Sequence, residues 1–168
     1  MNPEPTGRLI RTPDGRTLLI TRTFRAPIED VWVSITESER TARWIGPWTG
    51  EGRVGGTVMV QMTEEEGAEP SAGVIRACDP PRSFSLDIDS EGGIWPVSVE
   101  LIEEDGITTL EFKHHLSGTD DVSSIGPGWE YYLDRLVAAE TGGEMREWDA
   151  YWPGMKGYYE EVVVEKEQ

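Results

Sequence analysis

Cysteine is almost missing from this chain: Cys78 is the only one in 168 residues. An intramolecular disulfide framework is therefore excluded, which fits a reducing, cytoplasmic compartment. Basic residues are also scarce, with 15 Lys+Arg against 32 Asp+Glu and a formal net charge of -17. That balance argues against nucleic acid as a partner, because phosphate contacts need a basic footprint. Long apolar runs are absent; nothing approaches the roughly 18 consecutive apolar residues of a membrane-spanning helix. Met1-Asn2-Pro3-Glu4-Pro5-Thr6 has neither the basic region nor the apolar run of a signal peptide. Two histidines and one cysteine leave too few ligands for a zinc-type centre, so no metal is expected. Gly-x-Ser-x-Gly, phosphate-loop and dinucleotide fingerprints are missing too, so hydrolase, nucleotide and NAD chemistry have no support and no cofactor is implied.

What is present is aromatic and acidic. Seven tryptophans and five tyrosines outnumber three phenylalanines. Trp and Tyr combine a large apolar body with a polar handle, which suits pocket walls and interfaces as well as cores. The acidity is lopsided: residues 1–84 carry 10 Lys+Arg and 12 Asp+Glu, residues 85–168 carry 5 and 20. Solubility accounts for such a bias, and a basic partner surface is the other reading.

Along the chain, two extended runs, Gly7 to Arg11 and Arg16 to Arg25, flank the turn signal Thr12-Pro13-Asp14-Gly15. Pro27, with Glu29 and Asp30 behind it, opens a short helix whose apolar stripe is Ile28, Val31, Trp32 and Ile35. A second short helix is expected from Glu39 to Trp44. Strands follow over Thr57 to Thr63, Gly73 to Cys78, Ser83 to Asp89, Trp95 to Glu103 and Ile107 to Leu116. Turns are expected at Ser90 to Gly93 and Glu104-Asp105-Gly106, and loops at Glu64 to Pro70 and Ser117 to Ile125. From Gly126 to Gly142 the residues Trp129, Tyr132, Leu133, Leu136, Val137 and Glu140 recur at helical spacing, all but the last apolar or aromatic. A long helix is thus ready to lie on the sheet, closed by Gly142-Gly143. Residues 1–6 read as a flexible tail. Residues 144–168 read as an aromatic-rich extension that packs on the single domain, or seals a homodimer or a protein partner.

Strand alternation suggests an inward face. It carries Leu110, Phe112, His114 and Leu116 on the last strand, Trp95, Val97, Val99 and Leu101 on the one before, and Phe84, Leu86 and Ile88 on the one before that. Trp32 and Trp44 from the short helices, with Trp129, Tyr132, Leu133 and Leu136 from the long one, would complete a mostly aromatic enclosure. His114 is the candidate polar anchor or general acid/base there, since imidazole titrates near neutral pH; a satisfied core histidine is the competing reading. His115 points to the opposite face, so the two histidines do not share an ion. Arg76 is either an inward anion-binding residue or a solvated one, and Cys78 reads as a packed thiol.

Strand, two short helices, a run of antiparallel strands and a long C-terminal helix is the order of the START-like helix-grip fold, an α+β architecture in which a curved antiparallel sheet wraps the helix. Within it the chain resembles the activator of Hsp90 ATPase homologue 1-like (AHSA1-like) family. The resemblance is carried by Arg25-Ala-Pro-Ile-Glu-Asp-Val-Trp32, Trp44 in Ala-Arg-Trp-Ile-Gly-Pro, Val54-Gly-Gly56, Asp79-Pro-Pro-Arg82, Leu110-Glu-Phe-Lys-His114 and Gly128-Trp129 with Leu133, Asp134 and Leu136. It implies a cavity between sheet and helix that takes a small hydrophobic or aromatic molecule. Its alternatives are a polyketide cyclase/dehydratase-like enzyme, with His114 and Tyr132 moving protons, and a chaperone-regulating interaction module.

Overall fold

The first turn signal forms a hairpin: β1 (Arg8–Thr12) and β2 (Gly15–Phe24) pair antiparallel in the computed structural model, which describes residues 2–65, 67, 69–90, 93–118 and 120–166. Next come α1 (Ile28–Thr36) and α2 (Ser38–Thr41), then β3 (Trp48–Gly50), β4 (Thr57–Val60), β5 (Ser71–Asp79), β6 (Ser83–Ser90), β7 (Gly93–Glu104) and β8 (Ile107–Leu116). The chain ends with α3 (Val122–Thr141), α4 (Lys156–Glu161) and β9 (Val164–Lys166). Among the described residues the strands form one sheet in the order β3-β4-β5-β6-β7-β8-β2-β1-β9. Every pairing is antiparallel except β1 with β9. This is the START-like arrangement of a sheet with a long helix packed on it. Glu91 and Gly92 of the expected turn, Glu66 and Ala68 of the acidic loop, and Thr119 of the loop after β8 lie outside the described residues.

Alternation sets the core. On β8, Thr108, Leu110, Phe112, His114 and Leu116 are buried, and their β2 neighbours in register include Leu18, Ile20 and Phe24. The sheet side of α3 contributes Trp129, Tyr132, Leu133 and Leu136 to the same cluster. The opposite side of α3 is covered as well, by Tyr151, Met155 and Tyr159 of the C-terminal stretch. Tyr131 meets Tyr151 edge-on with ring centroids 5.5 Å apart.

Helix α3 begins four residues before the expected Gly126. Asp121 caps it, its carboxylate accepting the Ser123 N–H at 3.0 Å. Gly126-Pro127-Gly128 looks like a breaker, yet Pro127 removes only one intrahelical bond and is itself fully buried. Gly142 ends the helix in the left-handed region (φ 73) and donates to the Ala138 carbonyl at 2.8 Å.

Gly126 has a second role. A Cβ there would lie 2.6 Å from the Tyr159 ring, closer than atoms approach. Gly126→Ala is therefore expected to lose about 1–3 kcal/mol by overpacking, although alanine favours helix over glycine by roughly 1 kcal/mol. Thermal melts followed by tyrosine near-UV dichroism measure this; an unchanged melting point would mean that Tyr159 moves aside freely.

The sequence left other pieces unread or misplaced. Strands β3 and β9 are three residues each, too short for alternation to register. Cys78 is exposed rather than packed, because β5 is uncovered from Arg76 to Asp79, beyond a register shift between Ile75 and Ala77. The sheet also departs from a purely antiparallel one through its parallel edge strand β9.

Candidate functional site

His114 sits on the inward face of β8, opposite Leu18 of β2 and Val97 of β7, with none of its surface exposed. Aromatic rings surround it. Its ring centroid is 4.9 Å from that of Trp95 and 6.3 Å from that of Trp129, while Phe112 and Trp129 lie 4.5 Å apart. The Trp129 indole N–H donates to His114 Nδ1 at 3.1 Å. Burial pushes the imidazole down from 6.5 to about 4, with His115 adding to the effect and Asp120 opposing it. The ring is therefore neutral at physiological pH. Its Nε2 and the indole nitrogen of Trp95 are both buried and, among the described residues, have no hydrogen-bond partner.

The remaining expected residues divide by place. Trp44, Val97, Val99, Leu110, Leu133 and Leu136 are buried in the common core, with Trp32, Phe84, Leu86 and Trp95 half-buried against it. Trp32 meets Phe84 edge-on at 5.9 Å, and the Trp44 indole donates to the Ser34 carbonyl at 2.9 Å. Tyr132 packs 6.4 Å from Trp129, but its hydroxyl donates to Glu65 at 2.6 Å. Burial and that carboxylate raise its pKa. The rings thus pack on one another between sheet and α3. Open hollows lie elsewhere: one of about 430 Å³ beside β9, lined by Arg8, Tyr158 and Val162 among others, and one of about 150 Å³ at Phe84, Val99, Glu111 and Lys113. Arg76 is exposed and paired with Asp87 at 2.8 Å, and His115 Nδ1 meets the Thr17 hydroxyl at 2.9 Å on the opposite face of β8. Among the described residues no group of three or more His, Cys, Asp or Glu is placed to hold a metal ion, and no helix is long and apolar enough to cross a membrane.

A buried ionic cluster escaped the sequence reading. Arg22 donates to Glu130 at 2.8 Å and to Asp134 at 2.9 Å. Glu130 has no exposed side-chain surface. It also accepts from the Thr6 hydroxyl at 2.6 Å, from the Thr6 and Gly7 N–H groups, and from the Tyr159 hydroxyl at 2.6 Å. Burial alone would raise its pKa, but donations from Arg22, Thr6 and Tyr159 outweigh that and hold it below the ordinary value. Asp134 further accepts from the Tyr151 hydroxyl at 2.7 Å. Thr6, at the end of the expected tail, is thus fixed to α3. The available signal was Arg22 itself, which shares the inward face of β2 with Leu18, Ile20 and Phe24.

The geometry can be set beside known proteins. The family model described as "Activator of Hsp90 ATPase homolog 1-like protein" matches residues 25–141, more than half of the chain. The chain belongs to this family. Among solved structures, CalU16 from Micromonospora echinospora is 27% identical, covering 94% of this chain and 91% of its own, with a TM-score of 0.69. A Bordetella parapertussis protein is 20% identical over 98% of this chain and 96% of its own, TM-score 0.72. Aha1 from Colwellia psychrerythraea, described as a dimer, is 18% identical over 76% and 98%, TM-score 0.64. The last two share the fold with this chain. No curated protein matches it.

Proposed function

We propose that this chain is a small-molecule-binding domain of the START-like class, taking an apolar or aromatic molecule at the ring cluster between the sheet and α3. The observation that carries this reading is His114. At the neighbouring inward positions of β8 the core takes Leu110, Phe112 and Leu116, whereas here it takes a fully buried imidazole with a nitrogen that has no partner among the described residues. Burying an unpartnered polar group costs about 1–3 kcal/mol, a cost that makes sense where a ligand meets it. Trp95, half-buried near the start of β7, is one of the places where the cluster reaches the surface; Trp32 and Phe84 are others. Entry at Trp95 requires its indole to swing, because the rings are already in contact.

The cyclase/dehydratase-like alternative has less support. A general base works best with a pKa near the operating pH, and burial holds His114 at about 4. Tyr132, the other proposed proton carrier, is committed to Glu65. The chaperone-regulator alternative rests on the family description and on no feature of the ring cluster.

Native mass spectrometry of the protein purified from its own host tests the binding reading. A bound molecule that is released on denaturation is expected, and a Trp95→Ala variant that keeps its fold should carry less of it. A protein that stays unliganded even after challenge with host cell extract would refute the reading.

A further inference from the structure

Resting on that reading of the ring cluster, we infer that the ligand is a neutral, flat molecule presenting a carbonyl-type oxygen to two N–H donors, His114 Nε2–H and the Trp95 indole N–H.

The argument starts from the proton on His114. An indole nitrogen only donates, so the 3.1 Å contact from Trp129 makes Nδ1 of His114 an acceptor. In a neutral imidazole the proton then resides on Nε2. The two buried nitrogens that have no partner among the described residues are therefore both donors, one on each of two rings whose centroids are 4.9 Å apart. A ligand group that only donates, such as an ammonium, would leave both unsatisfied. A hydroxyl could accept, but its own proton would need an acceptor, and the imidazole's acceptor nitrogen already serves Trp129. A carbonyl oxygen accepts through two lone pairs and brings no proton of its own.

Charge narrows the class further. The cationic Arg22 is engaged by Glu130 and Asp134, and Lys113 and His115 alternate to the opposite face of β8. Arg16, on the same face of β2 as Leu18, is half-buried at the start of the strand, in register with Leu116 rather than His114. The imidazole is itself held neutral by burial. A carboxylate at this place would be desolvated without a counter-charge, in a chain whose net charge is already -17. Flatness follows from the walls, since Trp95, Phe112 and Trp129 offer ring faces and edges.

Three tricyclic probes of similar size separate the terms: 9-fluorenone with a carbonyl, fluorene with no polar atom, and fluorene-9-carboxylate with a charge. Each is titrated into the full chain, following indole N–H resonances by ¹H–¹⁵N NMR. Fluorenone is expected to bind at least roughly tenfold tighter than fluorene, and to move the Trp95 indole N–H downfield. Trp95→Phe keeps a ring and removes the donor, so it should weaken fluorenone severalfold more than it weakens fluorene, whose loss reports only the smaller wall. Equal affinity for the two, insensitive to Trp95→Phe, would overturn the carbonyl assignment while leaving the apolar site standing. Tightest binding of the carboxylate would overturn neutrality. Binding of none of them would bring down the ligand-site reading along with this inference.

Discussion

Replacing Glu130 by alanine is expected to cost about 3–5 kcal/mol of folding stability, the range seen when one partner of a buried ion pair is removed. The carboxylate, with no side-chain surface exposed, accepts from Arg22, Thr6, Gly7 and Tyr159 at once. Its loss strands a guanidinium whose side chain is only 11% exposed, with Asp134 as the remaining counter-charge. It also frees the Tyr159 hydroxyl and the backbone around Thr6. Urea unfolding gives the number directly. A double variant, Arg22→Met with Glu130→Leu, should cost less than Glu130→Ala alone, because it removes the charges together. A Glu130→Ala protein within about 1 kcal/mol of the parent would show that the cluster contributes little beyond its geometry.

Acid should destabilise the protein well before ordinary carboxylates protonate. His114 titrates at about 4 in the folded chain against an ordinary 6.5, because burial penalises its charged form. Between these values the unfolded chain binds a proton that the folded chain refuses, so stability falls as the pH drops. The full difference corresponds to roughly 3 kcal/mol, reached once the pH is below the folded value. Glu130 acts with the same sign at lower pH. Its folded pKa is depressed, so its contribution is present above the unfolded value and disappears as the pH falls through the folded one. Urea midpoints from neutral pH downward test both. His114→Gln should remove most of the loss between about pH 6.5 and 4. It should leave the smaller part owed to His115, whose pKa burial also lowers, and the Glu130-dependent loss at lower pH. A parent protein equally stable across that interval would contradict a buried, neutral His114.

Much of this was readable from local patterns. Period-two alternation on β8 put His114 inward and His115 outward, as the structure has them, because a strand's faces are decided residue by residue. The long helix and its apolar stripe were legible for the same reason. Arg22 lay in plain view on the inward face of β2, but its meaning did not, since Glu130 and Asp134 are 108 and 112 residues away. Glu130 itself falls off the apolar stripe, on a side of α3 that reads as solvent-facing until Tyr151 and Tyr159 are seen to cover it. Position 126 misled in the other direction. Glycine and proline mark breaks in most sequences, whereas here Gly126 makes room for Tyr159 inside a helix that Asp121 has already started. The ring cluster was anticipated as residues, while the direction of each ring's polar atom belongs to packing alone.

Tyr159 gives the order of synthesis a structural meaning. As the chain leaves the ribosome, β2 and α3 emerge with Arg22 and Glu130 before the tyrosine that seals them has been made. Gly7, near the beginning, waits for a hydroxyl 152 positions later, which then donates its own proton to Glu130. The parallel strand β9 follows later still, and pairs with β1. Closing such distant pairs is slow compared with forming local helix or hairpin. A nascent chain halted short of Tyr159 therefore holds a helix with one bare side, and a Glu130 carboxylate that lacks both part of its cover and one of its donors. Arrival of the stretch from Tyr159 to β9 is thus the step that turns a loosely assembled sheet into a sealed one.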